Sequence, residues 1–294
     1  MNAIFSYDFL FSFIQMILLV VFAPLFSGIT KKTKALLQNR TGADITQDYY
    51  DLYKWWGKRT VVTPHTGPVF LLAPFMYLLS TMLAAFLLPN MLTNLTFGDI
   101  FVFVSLLAIG RFFMALSSFD AATAFGGMGG SREIYVSTFV EPVMLLALLS
   151  AILKNDTSAV SGMLFNSGAQ QINVAGILAC VGFFILILAE NGRIPVDNPD
   201  THLELTMIHE CMLLEYSGRL LAVIHLASMV KGLLFMTLFS MVFLPLSLPL
   251  VVKIILTAVS IAVMETLNNK MRLFKVRAYL LATGGLLLLA IVAQ

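Results

Sequence analysis

Between Glu190 and Arg219 the chain gathers Glu190, Asp197, Asp200, Glu204, Glu210 and Glu215 against only two cations, Arg193 and Arg219. Long apolar runs flank this segment on both sides. Acids kept beside a bilayer are costly, so a functional role is the default reading. Clustering and partial burial both raise the proton affinity of carboxylates, which brings such groups towards titration near neutral pH. The chemistry on offer is therefore proton transfer, with Glu190, Asp197, Asp200, Glu204 and Glu215 as an acidic funnel. A second reading keeps the same acids as a surface for basic partner subunits.

Charges inside the apolar runs extend the funnel. Arg111 lies nine residues before Asp120, and Glu141 eight after Glu133. In antiparallel neighbouring helices that spacing sets Arg111 and Glu141 at a common depth of about 12–14 Å, as a buried ion pair. Pro142 follows Glu141 and opens the helix backbone there. Lys231 lies about 18 Å beyond Arg219, too deep to snorkel. Desolvation there would let it release a proton, so Glu141 and Lys231 join the proton-transfer candidates. Glu265, near the inner end of its run, is read as reaching solvent, and Lys253 as ambiguous at the outer end.

Other residues offer less. His209-Glu210-Cys211 lacks the spacing of a zinc hydrolase, so His202 and His209 are read as structural or relay groups. Gly126–Gly130 has no phosphate-binding lysine and reads as a flexible turn between spans. Cys180 and Cys211 have no paired spacing. The chain thus carries no cofactor of its own in this reading, and any redox centre sits on a partner.

These groups need elements to hold them, and composition says which. The chain is 59% hydrophobic and only 12% charged, with mean hydropathy +0.90, where soluble domains carry about 25% charged residues. An all-α integral membrane protein with about eight transmembrane helices follows, residues 1–294 forming a single transmembrane domain. The net charge of +2 supplies no basic stripe for nucleic acid. The spans are Phe9–Ile29, Val69–Leu88, Asp99–Ser118, Ile134–Leu153, Gln171–Ala189, Leu220–Pro245, Leu250–Leu267 and Ala278–Gln294, each near the ~20 residues a bilayer requires. The first has no basic residues before it and no small-residue cleavage site after it, so it reads as retained.

Lys31, Lys32 and Lys34 follow that first span, and basic residues recur in every second loop. The positive-inside rule then places loops 30–68, 119–133, 190–219 and 268–277 in the cytoplasm and both termini outside. The first of these loops holds an amphipathic helix over Ile45–Lys58, with Tyr49, Leu52, Tyr53 and Trp56 on one stripe and Asp48, Asp51, Lys54 and Lys58 off it. It lies in the interface or packs under the protein's own spans; the pattern leaves both open. Within the acidic cytoplasmic loop, Asn198-Pro199-Asp200 starts a helix that Gly218 ends. Asp200, Glu204, Ile208, Cys211 and Glu215 fall along one stripe of it.

Six short motifs add a resemblance that covers nearly the whole chain. They are Ala23-Pro24-Leu25-Phe26-Ser27-Gly28-Ile29, Arg111-Phe112-Phe113, Phe119-Asp120, Gly130-Ser131-Arg132-Glu133, Val140-Glu141-Pro142 and Glu215-Tyr216-Ser217-Gly218. Together they resemble the quinone-chamber membrane subunit of respiratory complex I. They also resemble its counterpart in membrane-bound nickel–iron hydrogenases of the hydrogenase-4 and formate hydrogenlyase type, the branch the motifs favour. The chain departs from the family at Arg40-Thr41-Gly42-Ala43, where an Arg-Gly-Pro-Gly-like turn is usual, and in a longer Leu205–Leu214 segment.

The resemblance implies a cofactor-free subunit of a bacterial or archaeal cytoplasmic membrane complex. It would anchor a peripheral arm that carries iron–sulfur clusters and, in the hydrogenase branch, a nickel–iron site. Antiporter-like membrane subunits would be its neighbours, and redox chemistry in the arm would be linked to proton or sodium movement. Arg40, Asp120, Arg132, Glu133, Arg193 and Arg219 are the candidates for docking partners. The alternative is the quinone-binding subunit of an NADH:quinone oxidoreductase; a secondary cation transporter is a third reading, of a different class.

Overall fold

The computed structural model describes residues 2–88, 99–152, 173–198, 207–245 and 247–293. The elements are α1 (Asn2–Leu37), α2 (Gln47–Trp56), α3 (Pro68–Phe86), α4 (Ile100–Asp120), α5 (Ala124–Ile152), α6 (Val174–Glu190), α7 (His209–Leu213), α8 (Gly218–Phe243), α9 (Leu250–Leu267) and α10 (Leu273–Val292). Seven of these are long and apolar enough to cross a bilayer, and α6 is a shorter apolar helix. The chain is an all-α membrane protein of roughly eight spans.

The centre of the bundle is α8, with 67% of its apolar window buried against 33–50% for the other six long apolar helices. Helices α1, α3, α6 and α9 pack directly on it, and α4, α5 and α10 complete the surround. Outward faces carry Phe13, Ile17, Phe75, Phe101, Phe112 and Leu288, all exposed and apolar as lipid contact requires. Lipid tails are as apolar as leucine, so close packing between small residues takes over the work of burial. Ala73, Ala84, Ala85, Ala227 and Ala258 accordingly sit fully buried at helix contacts.

Two prolines set local detail in α3. Pro68 begins the helix after Gly67, and the Asp120 carboxylate at the end of α4 accepts from the Phe70 N–H at 2.9 Å. Pro74 has no N–H to give the carbonyl four residues back. That carbonyl, Phe70 O, accepts instead from the Tyr216 hydroxyl at 3.0 Å. The Phe70 and Tyr216 rings stack with centroids 4.0 Å apart.

The structure corrects several expectations. Gly126–Gly130 is helical, and α5 begins at Ala124 rather than Ile134. A Cβ on Gly130 would meet Ser118 Oγ at 2.0 Å, and one on Gly129 would meet the Met212 nitrogen at 2.9 Å. These glycines let α4 and α7 approach α5; they do not make a turn. The expected helix from Asn198 to Gly218 reduces, among the described residues, to the five residues of α7. Ile208 and Cys211 of its stripe are buried rather than facing a funnel. Gly218 does take the left-handed φ of +54°, but as the first residue of α8. A Cβ there would meet the Arg59 carbonyl oxygen at 2.6 Å.

Of the two placements left open for helix α2, packing against the protein's own spans is the one seen. Tyr49 donates its hydroxyl to Val21 O at 2.6 Å, and Trp55 stacks on His225 with centroids 4.6 Å apart. Tyr50, Tyr53 and Trp56 remain exposed. Asp48, expected off the apolar stripe, is buried against Lys31 at 2.5 Å.

The four loops expected on one side do meet at one end of the bundle. Ser217 Oγ accepts from Val61 N at 2.8 Å and donates to Val61 O at 2.9 Å. Arg219 donates to Trp56 O at 3.3 Å, and Arg132 to Met207 O at 2.7 Å. Lys270 bonds Asp197 at 2.7 Å, and the Met271 N–H bonds Pro195 O at 2.8 Å.

Candidate functional site

The site follows from a helix that stops short. The 17 residues of α6 cover about 26 Å, less than the ~30 Å hydrocarbon thickness. Its last residue, Glu190, ends inside the protein with its side chain fully enclosed. The chain then continues through Ile194, Val196 and Asp197, all buried. Irregular backbone at membrane depth is tolerated where protein encloses it.

Glu190 is met there by two cations. Arg111 Nη1 on α4 donates to Glu190 Oε2 at 2.8 Å. Lys231 Nζ on α8 donates to the Glu190 main-chain oxygen at 2.8 Å and lies 3.5 Å from Oε1. Lys231 Nζ also stands 5.9 Å from the centroid of the buried Tyr77 ring on α3. On the other side, Arg111 Nη2 lies 3.4 Å from Glu141 Oε1 of α5. Two positive and two negative side chains thus join four spans in a cluster that is neutral when all are ionised. Desolvated charges are tolerated only when paired in this way.

Two expectations change in detail. The Arg111–Glu141 contact is present but not buried, because the Glu141 side chain is 41% exposed while that of Glu190 is fully enclosed. Lys231 is not an isolated amine either, since Glu190 holds it from two sides. Glu190 itself sits beside Lys231 rather than in a loop leading towards it.

A second network surrounds Glu265, which is buried rather than solvated. Lys34 Nζ and Arg193 Nη1 each lie 3.3 Å from its carboxylate. Asp197 forms a third. Its Oδ1 accepts from Asn198 N at 2.9 Å and Lys270 Nζ at 2.7 Å. Its Oδ2 accepts from Ile208 N and His209 N, both at 3.1 Å. This carboxylate ties the beginning and end of the acidic loop together. At the opposite end of α8 from these loops, Lys253 is buried and donates to Leu244 O at 3.3 Å.

Of the remaining candidates, Asp200 and Glu204 lie outside the described residues. Glu215 and Glu133 are half-buried. Asp120, Arg132 and Arg193 are engaged within the chain as described above. Arg40 and Arg219 are exposed at the loop end, Arg40 near Gln38. Among the described residues no cluster of His, Cys, Asp and Glu has the makings of a metal site.

Two cavities adjoin these networks. A large one of about 1260 Å³ opens between α1, α2, α8 and the link after α6, with Phe26, Lys34, Trp55, Arg193, His225 and Met236 among its walls. A small one of about 30 Å³ lies against Arg111, Glu133, Glu190 and Lys231. Sequence reasoning missed Tyr77 and Glu265 as members of these networks. Neither carries a local signal, since each acts through a distant segment.

Comparison with known proteins agrees with this architecture. The family described as NADH dehydrogenase matches residues 10–293. Hydrogenase-4 component C of Escherichia coli K12 is 35% identical over 248 residues, 82% of this chain and 76% of that protein. Formate hydrogenlyase subunit 4 of the same organism is 31% identical over 281 residues, 89% of this chain and 90% of that one. A chain of the membrane-bound sulfane sulfur reductase, an archaeal respiratory membrane complex, superposes with TM-score 0.80 at 18% identity, over 97% of this chain and 98% of that one.

Proposed function

We propose that this chain, which belongs to the NADH dehydrogenase family, is the membrane subunit of an oxidoreductase complex of the hydrogenase-4 and formate hydrogenlyase type. In this reading it anchors a soluble redox arm and links electron transfer in that arm to ion movement. Iron–sulfur clusters, and a nickel–iron site where the arm is a hydrogenase, belong to the partners. The chain lies in a bacterial or archaeal cytoplasmic membrane with both termini outside.

One observation carries the coupling role: Arg111, Glu141, Glu190 and Lys231 form a connected ionic cluster within the spans. Hydrophobic side chains would join four helices at lower cost, so titratable groups kept at this depth point to ion handling. Glu141 supports the place in a larger assembly. The Glu141 side chain is 41% exposed within an apolar span; bare against hydrocarbon it would cost several kcal/mol, so in this reading a further membrane subunit of antiporter-like type covers it. Exposed Arg40 and Arg219 at the loop end suit contact with the arm.

The large cavity favours one second reading, in which a quinone enters between α1 and α8 and the complex is an NADH:quinone oxidoreductase. At about 1260 Å³ it is roomier than the ~300–1,000 Å³ of ordinary small-molecule sites, which leaves space for a large ligand. Purification of the intact complex separates the two. Co-purifying nickel–iron hydrogenase subunits support the first reading, and an NADH-oxidising arm supports the second. Recovery of the chain without any redox partner would overturn both.

A further inference from the structure

The last helix turns one face away from the bundle. Val276, Leu280, Thr283, Gly284, Leu287 and Ala290 of α10 are buried on the side that packs against α5 and α6. The opposite side exposes Phe274, Leu281, Leu288, Leu289 and Val292. At 3.6 residues per turn, Phe274, Leu281 and Val292 fall within about 20° of one another around the helix axis. Ala278 and Ala282 are exposed on the same side, and a Cβ on Gly285 would meet open space, so the stripe is shallow along its middle. It runs about 27 Å from Phe274 to Val292, which suits contact with lipid tails.

The stripe begins among cations. Arg272, Lys275 and Arg277 are exposed, and Phe274 among them is 82% exposed. By the same rotation Lys275 stands about 100° to one side of Phe274 and Arg277 about 60° to the other. They bracket the apolar stripe at its start. That start lies at the loop end of the bundle, because Lys270 and Met271 just before it are bonded to Asp197 and Pro195 O. Other cations of this end are held by the chain's own acids: Lys31 by Asp48, Lys34 and Arg193 by Glu265, and Lys270 by Asp197. No ion pair among the described residues includes Arg272, Lys275 or Arg277. The sequence after Glu265 contains no Asp or Glu at all. The 20 residues of α10 cover about 30 Å, the thickness of the hydrocarbon. Lys275 and Arg277, in its first turn and a half, therefore sit at headgroup depth.

We propose that this end of α10 is a binding site for an anionic phospholipid. Arg272, Lys275 and Arg277 hold the phosphate, and an acyl chain lies along the shallow stripe from Ala278 to Gly285. The lysine and arginine stems follow the apolar surface while their charged ends reach the headgroup oxygens. Three cations with no acid beside them in sequence select a negative headgroup over a zwitterionic one. Continuity of the cations with a stripe at hydrocarbon depth makes the occupant a lipid rather than a soluble partner. No α10 residue lines either cavity, so the site is separate from the ionic cluster and does not rest on the coupling role.

The test uses the full chain, purified in detergent, stripped of lipid and titrated with phosphatidylglycerol or phosphatidylcholine of identical acyl chains. Native mass spectrometry counts the bound lipid. The wild type should bind phosphatidylglycerol at least about tenfold more tightly than phosphatidylcholine. In the combined variant Arg272→Gln, Lys275→Gln, Arg277→Gln that preference should fall below about twofold. The combined variant Lys54→Gln, Lys58→Gln, Arg59→Gln removes three exposed cations on and just after α2 and should keep it. Equal binding of the two lipids by the wild type overturns the proposal, as does an unchanged preference in the α10 variant. Glycerol 3-phosphate carries the charge without the chains. If it displaces the lipid at equal concentration, the site is one for free phosphate and the lipid assignment fails. High-resolution density of the intact complex gives a second measurement that needs no variant. A lipid headgroup between Lys275 and Arg277 is the expected result, and a polypeptide covering Phe274 overturns it.

Discussion

Tyr216 donates its hydroxyl to Phe70 O at 3.0 Å, the carbonyl that Pro74 leaves without its helical partner. This bond and the Ser217–Val61 pair explain why Tyr216-Ser217-Gly218 stand together. The first docks on α3, the second on the first loop, and the third lets the Arg59 carbonyl reach the start of α8. Replacing Tyr216 by Phe keeps the ring stack and leaves Phe70 O unsatisfied, at a cost of about 1–3 kcal/mol. Thermal unfolding of the detergent-solubilised protein would show a lower midpoint.

The same residue gives a pH dependence. Burial, the larger effect, and the neighbouring Asp120 push the Tyr216 hydroxyl up to about 12 from 10.0, against a Ser117 hydrogen bond that lowers it. A group whose proton is held more tightly in the fold contributes stability in full below its unfolded value and loses it as pH rises through the folded one. Stability should therefore decline between pH 10 and about 12 in the wild type. In Tyr216→Phe that part of the decline should be absent from unfolding curves taken across the range.

Arg111 has two carboxylates, so its removal leaves Glu190 enclosed with Lys231 alone. Arg111→Ala should cost about 3–5 kcal/mol, the range for breaking a buried pair. The double variant Arg111→Met with Glu190→Met should recover part of that loss, a coupling visible in a double-mutant cycle of unfolding midpoints.

Asp197 gathers four donors, three of them the main-chain N–H groups of Asn198, Ile208 and His209. Asn would turn one acceptor oxygen into a donor facing another donor. Asp197→Asn should thus release the loop nearly as fully as Asp197→Ala. Hydrogen exchange over residues 207–213 would report it as faster exchange in both variants.

The positive-inside reading predicts that cysteines placed at Lys58 and Arg272 react with membrane-impermeant reagents only from the cytoplasmic side. Labelling of either from outside in intact cells would reverse the orientation.

The spans were legible because a bilayer demands about 20 apolar residues whatever their neighbours do. Depth arithmetic likewise set Arg111 near Glu141, since both lie on consecutive antiparallel helices and regular rise carries over. No such arithmetic reaches Glu190. Where α6 ends relative to α4 and α8 depends on how a non-helical segment folds back, and no local pattern encodes that. Glu265 was misplaced for a related reason, because Lys34 and Arg193 reach it from α1 and the α6–α7 link. The position of Gly126–Gly130 between two apolar spans reads as a turn, whereas close approach of Ser118 and Met212 is what requires these glycines.

The most direct test of the coupling role uses Glu141→Gln, which keeps shape and removes titration at the edge of the cluster. In the purified complex, reconstituted in sealed vesicles, the quantity to measure is ions moved per pair of electrons transferred. The account predicts assembly and electron transfer close to wild type with that ratio falling towards zero. An unchanged ratio would contradict it.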